Sequence, residues 1–195
     1  MIIISLVGDI GSGKTYISKL FKVPCFSADL EVIKLYKTSK KCFRALKKKF
    51  PKFIKSFPIK KEELNQVINK NFSNLKKIGS IVHPLIRKRF NRFIKENYKS
   101  KMVVLDIPLY LENKLNKKKD IIIFLKTKKK DINKRLKKRK NFNVRLLNIL
   151  KKSQFSLKYK KNKSDYILIN NYNSVIMKKR VNILKRKVLN DRNSS

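Results

Sequence analysis

Acidic residues are scarce in this chain: 12 Asp and Glu face 53 Lys and Arg in 195 residues, a formal charge of +41. An excess of that size first suggests a polyanionic partner, nucleic acid above all. Arginine, however, is scarce too. Only 10 of the 53 cations are Arg, whereas readers of phosphates and bases favour its planar fork. Alanine is confined to Ala28 and Ala45 while lysine, isoleucine and asparagine abound. AT-rich codons impose such a bias on any protein, so the charge reads first as compositional drift, with no specific nucleic-acid partner expected. Cysteine is limited to Cys25 and Cys42, without a CxxC spacing, and His83 is the only histidine. A disulfide framework and a Cys/His metal cluster are therefore not expected, and the reducing cytoplasm is the default location. Long apolar runs are missing as well. None approaches the roughly 18 residues that span a bilayer, and Met1–Val7 lacks the charged start and the length of a signal peptide. No membrane partner is expected.

What is present is enough to fold. Hydrophobic residues make up 42% and aromatics 10%, too much apolar surface for a disordered chain. At this length one catalytic unit with inserted flaps is the expectation. Short β-branched runs at Ile2–Val7, Val23–Ser27, Met102–Asp106, Ile121–Leu125 and Tyr166–Ile169 are continuous, as in parallel strands covered on both faces. Helical periodicity lies between them, for example Ile81-Val82, Leu85-Ile86, Phe90 and Phe93-Ile94. Strand, helix, strand is the order of a doubly wound α/β fold. Residues 30–98 hold no convincing strand and read as a helical insertion. Residues 127–163 are very basic and read as helices flanking a mobile turn at Asn141–Asn143. The expected plan is a core of about 1–29, 99–126 and 164–195, with a helical insertion at 30–98 and a lid at 127–163 that close around two substrates.

One motif carries chemistry. After the first strand comes Gly8-Asp9-Ile10-Gly11-Ser12-Gly13-Lys14-Thr15, which matches G-x-x-x-x-G-K-[ST] in its strand, loop, helix context. Gly8, Gly11 and Gly13 let backbone N–H groups turn inward around phosphate oxygens, Ser12 being counted among the nucleotide-binding residues of the loop, and the helix N-terminus adds the positive end of its dipole. Lys14 reaches the β- and γ-phosphates, the Thr15 hydroxyl ligates Mg2+, and the Tyr16 N–H faces the α-phosphate. ATP and Mg2+ are the expected cofactors. Asp29, at the end of the second strand, is either the base that takes a proton from an attacking hydroxyl or a helix N-cap. Asp106, ending the third strand, either helps hold hydrated Mg2+ or caps the strand.

These residues, with others downstream, give the chain a resemblance to the dephospho-CoA kinase family that runs nearly end to end. The glycine loop resembles the family's GGIGSGKS, and Ser27-Ala28-Asp29 its D-A-D. Ile59 to Leu64 is similar to L-x-R-x-x-L, with Lys61 at the arginine position. His83-Pro84 matches the family's H-P, and Pro108-Leu109-Tyr110-Leu111-Glu112 its P-L-L-x-E. Arg135 and Arg139, four apart, are followed by Gln154, and Ser164 to Asn170 is similar to A-D-Y-x-I-x-N. The chain departs from the pattern at Asp9, Ser27, Lys61 and Tyr110.

The resemblance implies a P-loop kinase core with a parallel five-stranded sheet, a helical substrate-binding insertion and a helical lid. It implies transfer of the ATP γ-phosphoryl group to the ribose 3′-hydroxyl of dephospho-CoA, the last step of coenzyme A biosynthesis. Asp29 would be the base, with Lys14, Arg135 and Arg139 acting on the phosphates; the arginines could equally belong to a solvated basic face. Lys61, His83, Pro108 and Glu112 would be substrate contacts. For His83 the alternative is a brace near a helix break imposed by Pro84, and for Glu112 a supporting partner. Two other readings stand: a nucleoside or nucleotide kinase of the same superfamily, and a nucleic-acid-binding P-loop protein. The H-P and P-L-x-x-E elements favour the first reading over both. A monomer or small homo-oligomer is expected.

Overall fold

The computed structural model describes residues 1–138 and 144–193. Five strands form: β1 (Ile2–Gly8), β2 (Cys25–Ser27), β3 (Met102–Asp106), β4 (Ile121–Thr127) and β5 (Tyr166–Asn170). They make one sheet in the order β2-β3-β1-β4-β5. β1 pairs in parallel with β3 and β4, and β4 with β5, in a register that sets Ile4 beside both Val104 and Ile121. Each expected strand is found. Their apolar runs are continuous because β1, β3 and β4 are covered on both faces; all five residues of β3 are buried.

The chain reaches the strands on one side of β1 before it crosses to those on the other, so β1 lies where the strand order reverses. In open parallel sheets ligands bind at the carboxyl ends of strands at such a point, and β1 ends in the glycine loop. Helices α1 (Lys14–Leu20) and α9 (Ser174–Asn193) cover the sheet. Ile17 and Phe21, with Met177, Val181 and Val188, join Ile4, Leu6, Val104 and Ile123 in one core.

By their contacts the residues fall into two compact units, Ser27–Tyr98 and the remainder. The first contains α2 (Ala28–Thr38), α3 (Lys40–Lys49), α4 (Lys61–Lys70) and α5 (Asn74–Glu96). It has its own core, in which Leu35, Leu46, Ile54, Val67, Ile78 and Val82 are buried. The Ser39 hydroxyl accepts the Cys42 N–H at 3.1 Å and so caps α3. Both cysteines are free, and burial pushes the Cys42 thiol up to about 11, which keeps it protonated.

The expected helix break at His83-Pro84 is absent. α5 runs for 23 residues with Pro84 inside it. A mid-helix proline costs about 3 kcal/mol. Ile78 and Val82 are buried on this helix and Ile81, Leu85 and Ile86 pack beside them; at roughly 2 kcal/mol for each such side chain removed from water, packing outweighs the lost hydrogen bond.

In the other unit β4 is followed by α6 (Lys129–Lys137), α7 (Val144–Lys152) and α8 (Leu157–Asn162). Arg139 and the turn at Asn141–Asn143 lie outside the described residues.

Candidate active site

The glycine loop holds a shape that only glycine takes without strain at three points. Gly8, Gly11 and Gly13 have φ of +150°, +87° and +96°. A Cβ on Gly13 would lie 2.6 Å from Asn170 Nδ2, and one on Gly8 would lie 2.9 Å from the Leu125 carbonyl oxygen. The Lys14 ammonium donates to the carbonyls of Gly8 and Asp9 at 3.1 and 2.8 Å, which sets the cation across the loop. Asp9 turns its carboxylate onto its own backbone, accepting the Ile10 N–H at 2.7 Å. Thr15 is exposed in the first turn of α1. The Tyr16 N–H donates to the Gly13 carbonyl at 3.0 Å.

The buried Ser12 hydroxyl oxygen has no hydrogen-bond partner among the described residues. A buried, unpaired hydroxyl costs free energy unless something pairs with it. Together with the ammonium and a helix N-terminus, it makes the loop a cradle suited to phosphate oxygens.

Sequence-remote residues hold this cradle from outside. Asn170 Nδ2 donates to the Ser12 carbonyl at 2.7 Å, the Thr127 hydroxyl to the same oxygen at 3.3 Å, and the Tyr172 hydroxyl to the Gly11 carbonyl at 2.7 Å. A Cβ on Gly11 would lie 3.2 Å from Ile132 Cγ2 and Leu136 Cδ2, so α6 packs directly against the loop. Arg135, exposed on α6, stacks over the Tyr172 ring at 4.6 Å from its centre.

Asp106 ends β3 and is 4% exposed. Beside it, burial raises the Cys25 thiol; the Ser18 hydrogen bond opposes this and the Asp106 charge adds to it. Pro108 is half-buried in the turn that follows β3. In that turn the buried Tyr110 donates its hydroxyl to Asp120 at 2.5 Å, which with burial drives the phenol far above its ordinary value. Glu112 is held from the opposite end of the chain. Its carboxylate pairs with the Lys160 ammonium at 2.9 Å, the two side chains being 9% and 1% exposed, and accepts the Phe155 N–H at 2.9 Å. Lys160 also donates to Gln154 Oε1 at 3.0 Å.

The helical unit carries the remaining candidates on its helices. Asp29 lies within the first turn of α2, whose N-cap is Ser27, so it is not the cap that one sequence reading allowed. Lys61 is exposed at the start of α4, and His83 is exposed on α5 with its ring over Gly79. Within this unit Glu63 accepts the N–H groups of Lys55 and Ser56 and the Ser56 hydroxyl at 2.9–3.2 Å, and Arg89 pairs with Glu31 at 3.0 Å. Burial pushes the Glu63 carboxyl up, but its hydrogen bonds outweigh that and hold it below its ordinary value.

A sequence profile of the family described as dephospho-CoA kinase matches residues 2–175. The chain belongs to the dephospho-CoA kinase family. It is 30% identical over 173 residues to the dephospho-CoA kinase of Bartonella henselae, covering 86% of this chain and 88% of that one. To the dephospho-CoA kinase of Wolbachia pipientis it is 32% identical over 171 residues, covering 85% and 87%. The solved structure of the dephospho-CoA kinase from Campylobacter jejuni superposes with a TM-score of 0.65 at 20% identity, covering 95% and 96%, which shows the shared α/β fold. The matched span, residues 2–175, takes in residues of both units.

Sequence reasoning missed Thr127, Lys160 and Tyr172 as parts of the site. The string Asn170-Asn171-Tyr172-Asn173 at a strand end carried a turn signal, since asparagine side chains bond the backbone two residues on, as Asn170 and Asn171 do here. Lys160 had none, being one lysine among 43.

Proposed function

We propose that the chain transfers the γ-phosphoryl group of ATP to the ribose 3′-hydroxyl of dephospho-CoA, giving CoA and ADP. The observation that carries this is the pinned glycine loop with its unpaired Ser12 hydroxyl, in a chain of the dephospho-CoA kinase family. The loop N–H groups and Lys14 bind the β- and γ-phosphates. The Thr15 hydroxyl and Asp106 would hold Mg2+, which when bound would supply positive charge to offset that of the phosphates. Asp29 takes the proton of the 3′-hydroxyl. The oxygen then bonds to the γ-phosphorus as the bond to the β-phosphate oxygen breaks, and ADP leaves. Arg135 and Arg139 offset charge on the transferring group.

In this reading Lys61 and His83 contact dephospho-CoA, with Pro108 on the same substrate, while Glu112 supports that region through Lys160. The residues at 30–98 form the acceptor-binding part and those at 127–163 the lid. No helix among the described residues is long and apolar enough to cross a membrane. The cytoplasm is the location proposed for this kinase activity.

Incubation of the purified protein with Mg-ATP and dephospho-CoA tests the assignment. We expect ADP and a product heavier by one phosphate, located on the 3′-oxygen by fragmentation. Phosphorylation of adenosine or a nucleoside monophosphate with dephospho-CoA left intact would assign the chain to another kinase activity.

A further inference from the structure

Tyr172 has a backbone φ of +60°. This is the left-handed region, which a residue with a Cβ enters only at a cost, so something in the folded protein must hold it there. Three contacts do. The Tyr172 N–H donates to Asn170 Oδ1 at 2.9 Å, its hydroxyl donates to the Gly11 carbonyl at 2.7 Å, and its ring lies under the Arg135 guanidinium.

The geometry points to Tyr172 as a positioning residue for nucleotide binding and transfer, one that pins the glycine loop and presets Arg135 at its rim. This rests on the kinase reading above. The N–H of a trans peptide points away from its C=O. Anchoring the Ser12 carbonyl on Asn170 therefore aims the Gly13 N–H to the opposite side, while anchoring the Gly11 carbonyl on Tyr172 fixes the preceding peptide, whose Ser12 N–H donates to the Asp9 carbonyl at 3.2 Å and closes the loop. Two successive loop carbonyls are thus held by one three-residue turn. The same phenol ring receives the exposed Arg135 side chain, for which no hydrogen bond or ion pair is found among the described residues. Stacking restricts that side chain before ATP arrives, so less entropy is lost when the guanidinium meets a phosphate. A residue that is strained in its backbone yet bonded to the loop at one end and to an arginine at its face is placed for function rather than for the turn itself.

The test uses the full-length protein with Tyr172→Phe, Tyr172→Gly, Arg135→Lys and the Tyr172→Gly/Arg135→Lys double variant. ATP affinity is titrated without acceptor, so its outcome stands apart from the identity of the acceptor. Tyr172→Phe keeps the ring and loses the hydroxyl, and is expected to weaken ATP binding about three- to tenfold, the effect of one hydrogen bond, with kcat changed less than twofold. Tyr172→Gly relieves the left-handed strain, so its melting temperature is expected to hold or rise, while ATP binding weakens at least as much and kcat falls about tenfold. A purely structural tyrosine would not separate stability from kinetics in this way. Arg135→Lys is expected to lower kcat in the parent but to add less than twofold in the Tyr172→Gly background, because the stack it depends on is already lost. The proposal is overturned if Tyr172→Gly binds and turns over ATP within twofold of the parent. It is equally overturned if the Tyr172→Gly and Arg135→Lys effects multiply in full.

Discussion

The sheet unit and the helical unit of residues 27–98 hold their candidate residues in opposite ways. In the sheet unit the loop carbonyls are bonded by Thr127, Asn170 and Tyr172, from 115 to 161 positions away. The site there is set by the whole fold. In the helical unit the core is just as tight, with Leu46, Ile54 and Val67 fully buried, yet Asp29, Lys61 and His83 stand exposed on helix surfaces. A phosphate cradle must meet a compact, rigid anion with fixed dipoles, and preorganisation is what makes such dipoles effective. On the function proposed above, a long, flexible acceptor would instead be met by side chains that adjust when it binds.

The comparison breaks most visibly at Lys14. Lys14→Met is expected to lower kcat about 10³-fold without loss of melting temperature, and steady-state rates with a third of parental activity would show that the cradle is not preorganised.

Stability should divide between the units as well. Leu46→Ala is expected to cost about 3 kcal/mol, and amide exchange should show protection falling across residues 27–98 while β1, β3 and β4 keep theirs. Lys160→Met strips the buried Glu112 of its partner and is expected to cost a similar amount, about 3 kcal/mol or roughly 6–12 °C in melting temperature. Lys160→Met/Glu112→Gln should recover much of that loss. If the double variant is no better than the single, Glu112 is not the reason Lys160 is buried.

Lys61→Ala and His83→Ala should each raise the KM for dephospho-CoA by up to about tenfold, the worth of one charged contact near 1.4 kcal/mol. The KM for ATP should stay within twofold. An equal rise for ATP would erase the distinction between the units.

The smallest effect is the response to acid. The Glu63 carboxyl is held below its ordinary value, so its contribution is complete above the unfolded value of about 4.3 and is lost as pH falls through the folded one. Glu63→Gln should therefore melt below the parent at neutral pH, and the two melting temperatures should converge in strong acid.

Much of the sheet unit was legible because its signals are local. A β-branched run, a glycine-lysine loop and a helical period each occupy a few adjacent residues, and all five strands fall where the runs predict. The helical nature of residues 30–98 was legible for the same reason. Pro84 misled, because the local rule against proline in a helix omits the apolar face that Ile78 and Val82 bury. Tyr172, Thr127 and Lys160 were illegible because their partners lie far along the chain, and in a sequence with 43 lysines nothing marks the one that is buried.

The division of labour between the two units is tested most directly by Asp29→Ala, with ATP affinity and phosphoryl transfer measured on the same preparation. The account predicts ATP binding within about threefold of the parent and transfer to dephospho-CoA reduced by a factor on the order of 10³, the worth of a positioned base. Transfer near the parental rate, or loss of ATP binding in step with transfer, would contradict it.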